Sequence, residues 1–158
     1  MRKTIALVFL GCLALAGGAR AATATGSLAV TVEVVATCRV GASSLDFGVY
    51  GAGQTADLRA QGTIAYENCT ASSLRISLDG GSSGNPNGRT LTNAAGNRLA
   101  YQLYRDSART RVWGSGANAL SFTPTSASGT VPVYGTIPGG QSVPLGRYSD
   151  TVVVTIEF

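Results

Sequence analysis

Residues 27–35 read SLAVTVEVV and residues 151–158 read TVVVTIEF. In the first stretch Leu28, Val30, Val32 and Val34 fall on one face, with Ala29, Thr31 and Glu33 on the other. In the second, Val152, Val154, Ile156 and Phe158 share a face. Side chains of a strand point alternately to its two faces, so this period of two in β-branched residues predicts half-buried strands. A helix would need apolar residues three and four apart, and no stretch from residue 22 onward carries such a stripe.

Working inward from these two ends, the same alternation predicts short strands at Cys38–Val40, Leu45–Tyr50, Ala56–Glu67, Leu74–Asp79, Arg98–Tyr104, Leu120–Thr123 and Thr130–Ile137. Turn residues cluster between them at Gly51–Thr55, Gly80–Gly88, Gly114–Asn118 and Pro138–Gly146. Many short strands punctuated at close intervals predict one all-β domain, an antiparallel sandwich or barrel. The 21 glycines agree, since each glycine inside a helix costs about 1 kcal/mol relative to alanine.

The N-terminus carries a different signal. Met1-Arg2-Lys3 is a basic start, Ile5–Ala16 an apolar run, and Ala19-Arg20-Ala21 a small-x-small site before Ala22. As a helix that run would span about 18 Å, short of a bilayer core of roughly 30 Å. Residues 1–21 therefore read as an export signal that is cleaved, not as a membrane anchor. Cys12 has a poor lead-in for a lipoprotein anchor.

Cleavage changes the arithmetic. Arg2, Lys3 and Arg20 leave with the signal, taking the formal charge of the 158-residue chain from +4 to +1. A nearly neutral protein offers no electrostatic case for binding nucleic acid or an anionic membrane. Cys12 leaves too, so three cysteines become two, and an even pair in an exported protein predicts a Cys38–Cys69 disulfide. Closing that loop is worth roughly 3–4 kcal/mol in the chain-entropy account. The chain has no histidine, which removes the commonest general base and metal ligand. Its eight acidic residues show no recognisable pairing, so no catalytic residue, metal ligand or cofactor is expected.

Three features invite a ligand. Gly80–Gly88 (GGSSGNPNG) resembles a phosphate loop but lacks the lysine and following helix that place charge and amides on phosphate. Its Asn87-Gly88 pair reads as hairpin-turn chemistry. Arg105, Arg109 and Arg111 cluster around Asp106 and could grip an anionic glycan or a protein, although a solvated turn with a local Arg–Asp pair accounts for them. Tyr101, Tyr104, Trp113 and Phe122 could line a sugar site, or pack in a core.

Along its length the chain resembles the spore coat U domain proteins, whose relatives include subunits of archaic chaperone–usher pili. The resemblance rests on Thr25-Gly26 before the first strand, Cys38, Leu45-Asp46-Phe47-Gly48 and the strand into Cys69. It continues through Tyr101–Asp106 with Ala108-Arg109-Thr110, Val131–Gly135, and Gly146–Thr151 leading into Val152–Phe158. These elements come in family order and cover nearly all of the chain after the signal.

The resemblance implies an immunoglobulin-like antiparallel β-sandwich that is incomplete, its last strand supplied in trans. Residues 22–37 would then be an N-terminal donor-strand extension and 38–158 the pilin-like domain. Leu28, Val30, Val32 and Val34 would fill a groove beside Val152, Val154, Ile156 and Phe158 of a neighbour. The implied partners are a periplasmic pilus chaperone, an outer-membrane usher and neighbouring subunits, and the implied location is a cell-surface fibre reached through the periplasm. Such strand addition is a known mode of chaperone–pilin recognition.

In that arrangement the donor runs parallel to the first strand, and parallel neighbours need a connection of about a dozen residues. Only Ala36 and Thr37 separate Val35 from Cys38, which disfavours self-insertion and favours head-to-tail fibres. The alternatives are a secreted coat or matrix protein of the same fold that does not polymerise, and a glycan-binding module using Arg105, Arg109 and Trp113.

Overall fold

In a computed structural model, which describes residues 23–35, 37–42 and 44–158, the alternating stretches become an antiparallel sandwich. Its strands, among the described residues, are β1 (Arg39–Ala42), β2 (Leu58–Glu67), β3 (Leu74–Leu78), β4 (Arg89–Thr92), β5 (Arg98–Tyr104), β6 (Leu120–Phe122), β7 (Gly129–Ile137) and β8 (Val154–Glu157). No α-helix occurs among those residues, only two single 3-10 turns, Gly81–Ser83 and Gly116–Asn118. The chain divides into Met1–Glu33 and Val34–Phe158, and the second unit holds all of these strands. The expected export signal, residues 1–21, lies outside the described residues.

One sheet has the order β1-β2-β7-β5-β4 and the other β6-β3-β8, with every pairing antiparallel. The core forms where the inward positions of the two sheets meet, as in other sandwiches. Ile64 of β2, Val133 and Ile137 of β7, and Leu99, Tyr101 and Leu103 of β5 supply one side. Ile76 and Leu78 of β3 supply the other. Trp113 is fully buried among them and donates its indole N–H to the Ile76 carbonyl at 2.9 Å. The Cys38–Cys69 disulfide is formed beside the Arg39↔Glu67 rung of β1 and β2.

Four expectations change. Leu45–Tyr50 joins no ladder among the described residues. Instead Asp46 Oδ1 accepts the Gly48 N–H at 2.8 Å, and Gly48 takes a left-handed φ of 72° that bends the chain. Second, Arg89–Thr92 is a strand that alternation does not announce, because its first residue is a buried arginine. Third, Gly80–Gly88 crosses from β3 in one sheet to β4 in the other, so it is no hairpin. Its Asn87-Gly88 pair closes a local turn in which Gly88 donates to the Asn85 carbonyl at 3.0 Å. Fourth, Ser27–Val35 forms no strand, and Leu28, Val30, Val32 and Val34 are each at least 84% exposed.

Candidate functional site

β8 lies at the end of its sheet, paired among the described residues with β3 on one side only. The rungs are Val154↔Leu78, Thr155↔Ser77, Ile156↔Ile76 and Glu157↔Arg75. Arg75 and Glu157 also form an outward ion pair at 3.7 Å. Val152, Val154 and Ile156 are half-buried against the main core, whereas Phe158 remains 56% exposed. Three of the four residues expected to line a groove thus share one apolar face, and the fourth extends that row into solvent.

The free edge has a defined hydrogen-bonding pattern. The Asp79 N–H donates to the Val153 carbonyl at 3.1 Å, so Val153 directs its peptide groups toward β3. Alternation along an antiparallel ladder then aims those of Val154 and Ile156 at the opposite, unpaired side. An unpaired edge above apolar surface is a template for another strand. β1 is likewise an edge strand, ending its own sheet, and it approaches β8.

A second apolar segment packs on the same core. Leu45, Phe47 and Tyr50 are partly buried against the cluster that receives Val152, Val154 and Ile156. Phe47 lies edge-on to Tyr101 with ring centroids 6.1 Å apart. Its ring occupies the space over Gly135, where a Cβ would stand 2.6 Å from Cζ. Leu45 sits over Gly62 in the same way, 3.3 Å from where a Cβ would be. The alternation of Leu45-Asp46-Phe47 puts the two apolar residues on one face, and their seats over Gly62 and Gly135 depend on distant strands.

The approach to β8 is held by acids. Asp79 Oδ1 accepts the N–H groups of Gly81 and Val153, both at 2.9 Å. Asp150 Oδ1 accepts those of Ser82 at 2.8 Å and Thr151 at 2.9 Å, while its Oδ2 accepts the Tyr101 hydroxyl at 2.6 Å. Burial pushes the Tyr101 phenol pKa up from its ordinary value, and the hydrogen bond to Asp150 pushes it the same way. The phenol is therefore a committed donor. These carboxylates are occupied by the chain's own N–H and O–H groups, and no cluster of three or more metal-ligating side chains occurs among the described residues.

Behind the acids sits Arg89, fully buried. It donates to the carbonyls of Asp79 (2.6 and 3.0 Å), Pro86 (3.1 Å) and Trp113 (2.8 Å), and to Gln102 Oε1 (2.7 Å). A guanidinium has five donors, and here carbonyls ring them, which offsets the cost of burying the charge. Burial pushes its pKa down, opposed by Tyr101, Asp79 and Asp150 nearby. Arg89 joins β3, β4, β5 and the Trp113 segment at one end of the sandwich.

The arginine and aromatic features fall differently from their ligand reading. Trp113 and Tyr101 are core residues, and Arg105 donates to the Ala119 carbonyl. Arg109 lies 5.6 Å from the Tyr134 ring and reaches the carbonyls of Gly135 and Ala60, both at 3.4 Å. Asp106 accepts the backbone N–H groups of Thr110 and Arg111, closing the loop where a local Arg–Asp pair was the expectation. A sugar site built on Trp113 is thus overturned, because its ring has no exposed face.

Comparison with known proteins fits this geometry. Residues 24–155 match the Spore Coat Protein U domain model. Protein U of Myxococcus xanthus is 35% identical over 157 residues, spanning 89% of this chain and 88% of that protein. Among solved structures, a chain of the CsuC–CsuE chaperone–tip adhesion subunit pre-assembly complex, from archaic chaperone–usher Csu pili of Acinetobacter baumannii, superposes with a TM-score of 0.53 at 23% identity. The match covers 77% of this chain and 40% of that one, and it shows a shared fold. The E. coli Hda pilus minor tip subunit HdaB is more distant, with a TM-score of 0.45 at 18% identity over 74% of this chain and 80% of its own. The two-sheet antiparallel sandwich is immunoglobulin-like, and because the domain model spans nearly everything after the expected export signal, the protein belongs to the Spore Coat Protein U domain family.

Proposed function

We propose that this protein is a structural subunit of a cell-surface fibre, assembled by chaperone–usher donor-strand exchange. The observation that carries the reading is the free edge of β8, with Val152, Val154 and Ile156 half-buried beneath it. Its complement is the alternating row Leu28, Val30, Val32 and Val34, exposed in the single chain. Residues 22–37 act as the donor extension and 38–158 as the acceptor domain, after residues 1–21 have directed export. Leu45 and Phe47 form the second wall of the acceptor groove.

Burying the four donor residues contributes about 1.5–3 kcal/mol each, and each backbone hydrogen bond about 0.5–1.5 kcal/mol. Rigid-body and ordering costs offset part of that. The remainder holds a long-lived joint. Before polymerisation the open edge is an aggregation hazard, which gives a periplasmic chaperone its role: it covers the groove until an outer-membrane usher presents the next subunit. The fold shared with a chain of a chaperone–adhesion subunit complex supports this reading.

A coat or matrix protein of the same fold is the second reading, favoured by the match of residues 24–155 to the Spore Coat Protein U domain. Changing Val30 and Val32 together to Asp abolishes fibres and leaves the chaperone-bound subunit intact, measured by co-purification and electron microscopy. Normal polymer yield from that variant sinks the proposal. Deleting residues 22–35 separates the two readings: a coat domain stays soluble and localises normally, whereas a fibre subunit stops polymerising.

A further inference from the structure

We infer that the donor strand of one copy enters the next in a single register, with Leu28 opposite Phe158, Val30 opposite Ile156, Val32 opposite Val154 and Val34 opposite Val152. This rests on the donor-strand reading above and specifies the joint at the level of individual rungs.

The face comes first. In the donor-strand reading the donor and β8 run antiparallel, so a one-residue slip would turn Ala29, Thr31 and Glu33 toward the core and put a carboxylate among apolar side chains. Only slips of two remain. A slip that sets Val30 opposite Phe158 moves Thr31 beside Glu157 and leaves half-buried Val152 with none of the four donor residues opposite it. A slip that sets Leu28 opposite Ile156 leaves Phe158, already 56% exposed, uncovered. It also puts Val34 against Asp150, whose oxygens are committed to Tyr101, Ser82 and Thr151. A further slip in the first direction, with Val32 opposite Phe158, sets Glu33 directly opposite Glu157, and like charges across a rung are destabilising.

The remaining register extends the rows that the sheet already has. Val30 continues the row Ile156, Ile76 and Leu120, and Val32 continues Val154 and Leu78. On the outer face Thr31 joins Thr155 and Ser77, and Ala29 leaves room for the Arg75–Glu157 pair. Glu33 falls opposite exposed Val153, well away from Glu157.

The backbone agrees with this arrangement. Val154 and Ile156 aim their peptide groups at the free edge, so they form the hydrogen-bonded rungs with Val32 and Val30. Thr31 and Thr155 then make the closer, non-hydrogen-bonded pair, with Cα atoms about 4.5 Å apart, within reach of a disulfide.

The test is cysteine crosslinking in the full-length exported protein, co-expressed with its chaperone and oxidised after polymerisation. T31C/T155C is expected to give a covalent ladder on a denaturing gel, about tenfold stronger than T31C/V153C or T31C/E157C, whose sulfurs stand on diagonals beyond disulfide reach. Fibres whose ladder comes instead from T31C/V153C or T31C/E157C overturn the register and leave donor-strand exchange standing. Wild-type protein that forms no fibres overturns the donor-strand reading and the register with it. Where the cysteine variants fail to fold or polymerise, a charge pair decides: T31E lowers polymer yield, and T31E/T155R restores it. Absence of rescue overturns the register.

Discussion

Asp79 Oδ1 accepts the Val153 N–H at 2.9 Å, so a side chain just past β3 holds the residue that leads into β8. The same oxygen holds Gly81 at the start of the crossover to β4. One carboxylate thus ties the open edge strand to the crossover between the two sheets.

Removing that tie loosens β8 from its N-terminal end. Asp79→Ala is expected to cost about 0.5–1.5 kcal/mol in denaturant unfolding, because the two hydrogen bonds lost lie at exposed positions where water takes the acceptor's place. Amide exchange at Val153 and Thr155, whose peptide groups face β3, rises with it. Asp79→Asn keeps an acceptor oxygen and loses less. An Ala variant with wild-type stability and protection at Val153 contradicts the role.

Tyr101 makes an alkaline prediction. Its pKa is raised in the fold, by burial and then by its bond to Asp150, while an unfolded phenol titrates near about 10. A raised pKa means the folded state holds the proton longer. That contribution is complete below about pH 10 and is lost progressively as pH rises beyond it. Tyr101→Phe lowers stability at neutral pH and flattens the loss above about pH 10, compared with wild type by chemical denaturation across pH. Parallel slopes for the two proteins reject the assignment.

Trp113→Ala is a core deletion. It is expected to cost about 3–5 kcal/mol, the range for large aromatic truncations, and to strand the Ile76 carbonyl that accepts the indole N–H. Urea titration measures it. A change below about 1 kcal/mol would show that the ring is not a core element, and would reopen a binding role.

Gly135→Val tests the seat of Phe47. A Cβ there stands 2.6 Å from the ring, so the variant must displace residues 45–48 at a cost of about 1–3 kcal/mol. Adding Phe47→Ala removes the clash, so the double variant loses less than the two single losses summed. Strict additivity in a double-mutant cycle contradicts the contact.

Much of the fold was legible along the chain. Arg98–Tyr104 is a strand with the predicted bounds, and Ala56–Glu67, Leu74–Asp79 and Thr130–Ile137 differ from the observed strands by at most two residues at an end. Each has a row of apolar residues spaced by two. The Cys38–Cys69 pairing followed from there being two cysteines beyond the expected export signal. Arg89–Thr92 was not legible, since a charged residue at a buried position erases the alternation that marks a strand. Leu45–Tyr50 misled in the opposite sense: its alternation is real, but Gly48 bends it and Gly135 seats it, and neither shows in its own pattern.

For the candidate site, the chain alone marked Val152, Val154 and Ile156 as one apolar face running on to Phe158, and Leu28, Val30, Val32 and Val34 as a row that shares a face once it is a strand. That follows from strand geometry, in which neighbours two apart must point the same way. Tertiary structure decided which strand lies at an edge, which peptide groups face outward from it, and which acids anchor it. Those properties depend on partners far away in sequence, such as β3 beside β8 or Tyr101 beside Asp150, and no local period records them.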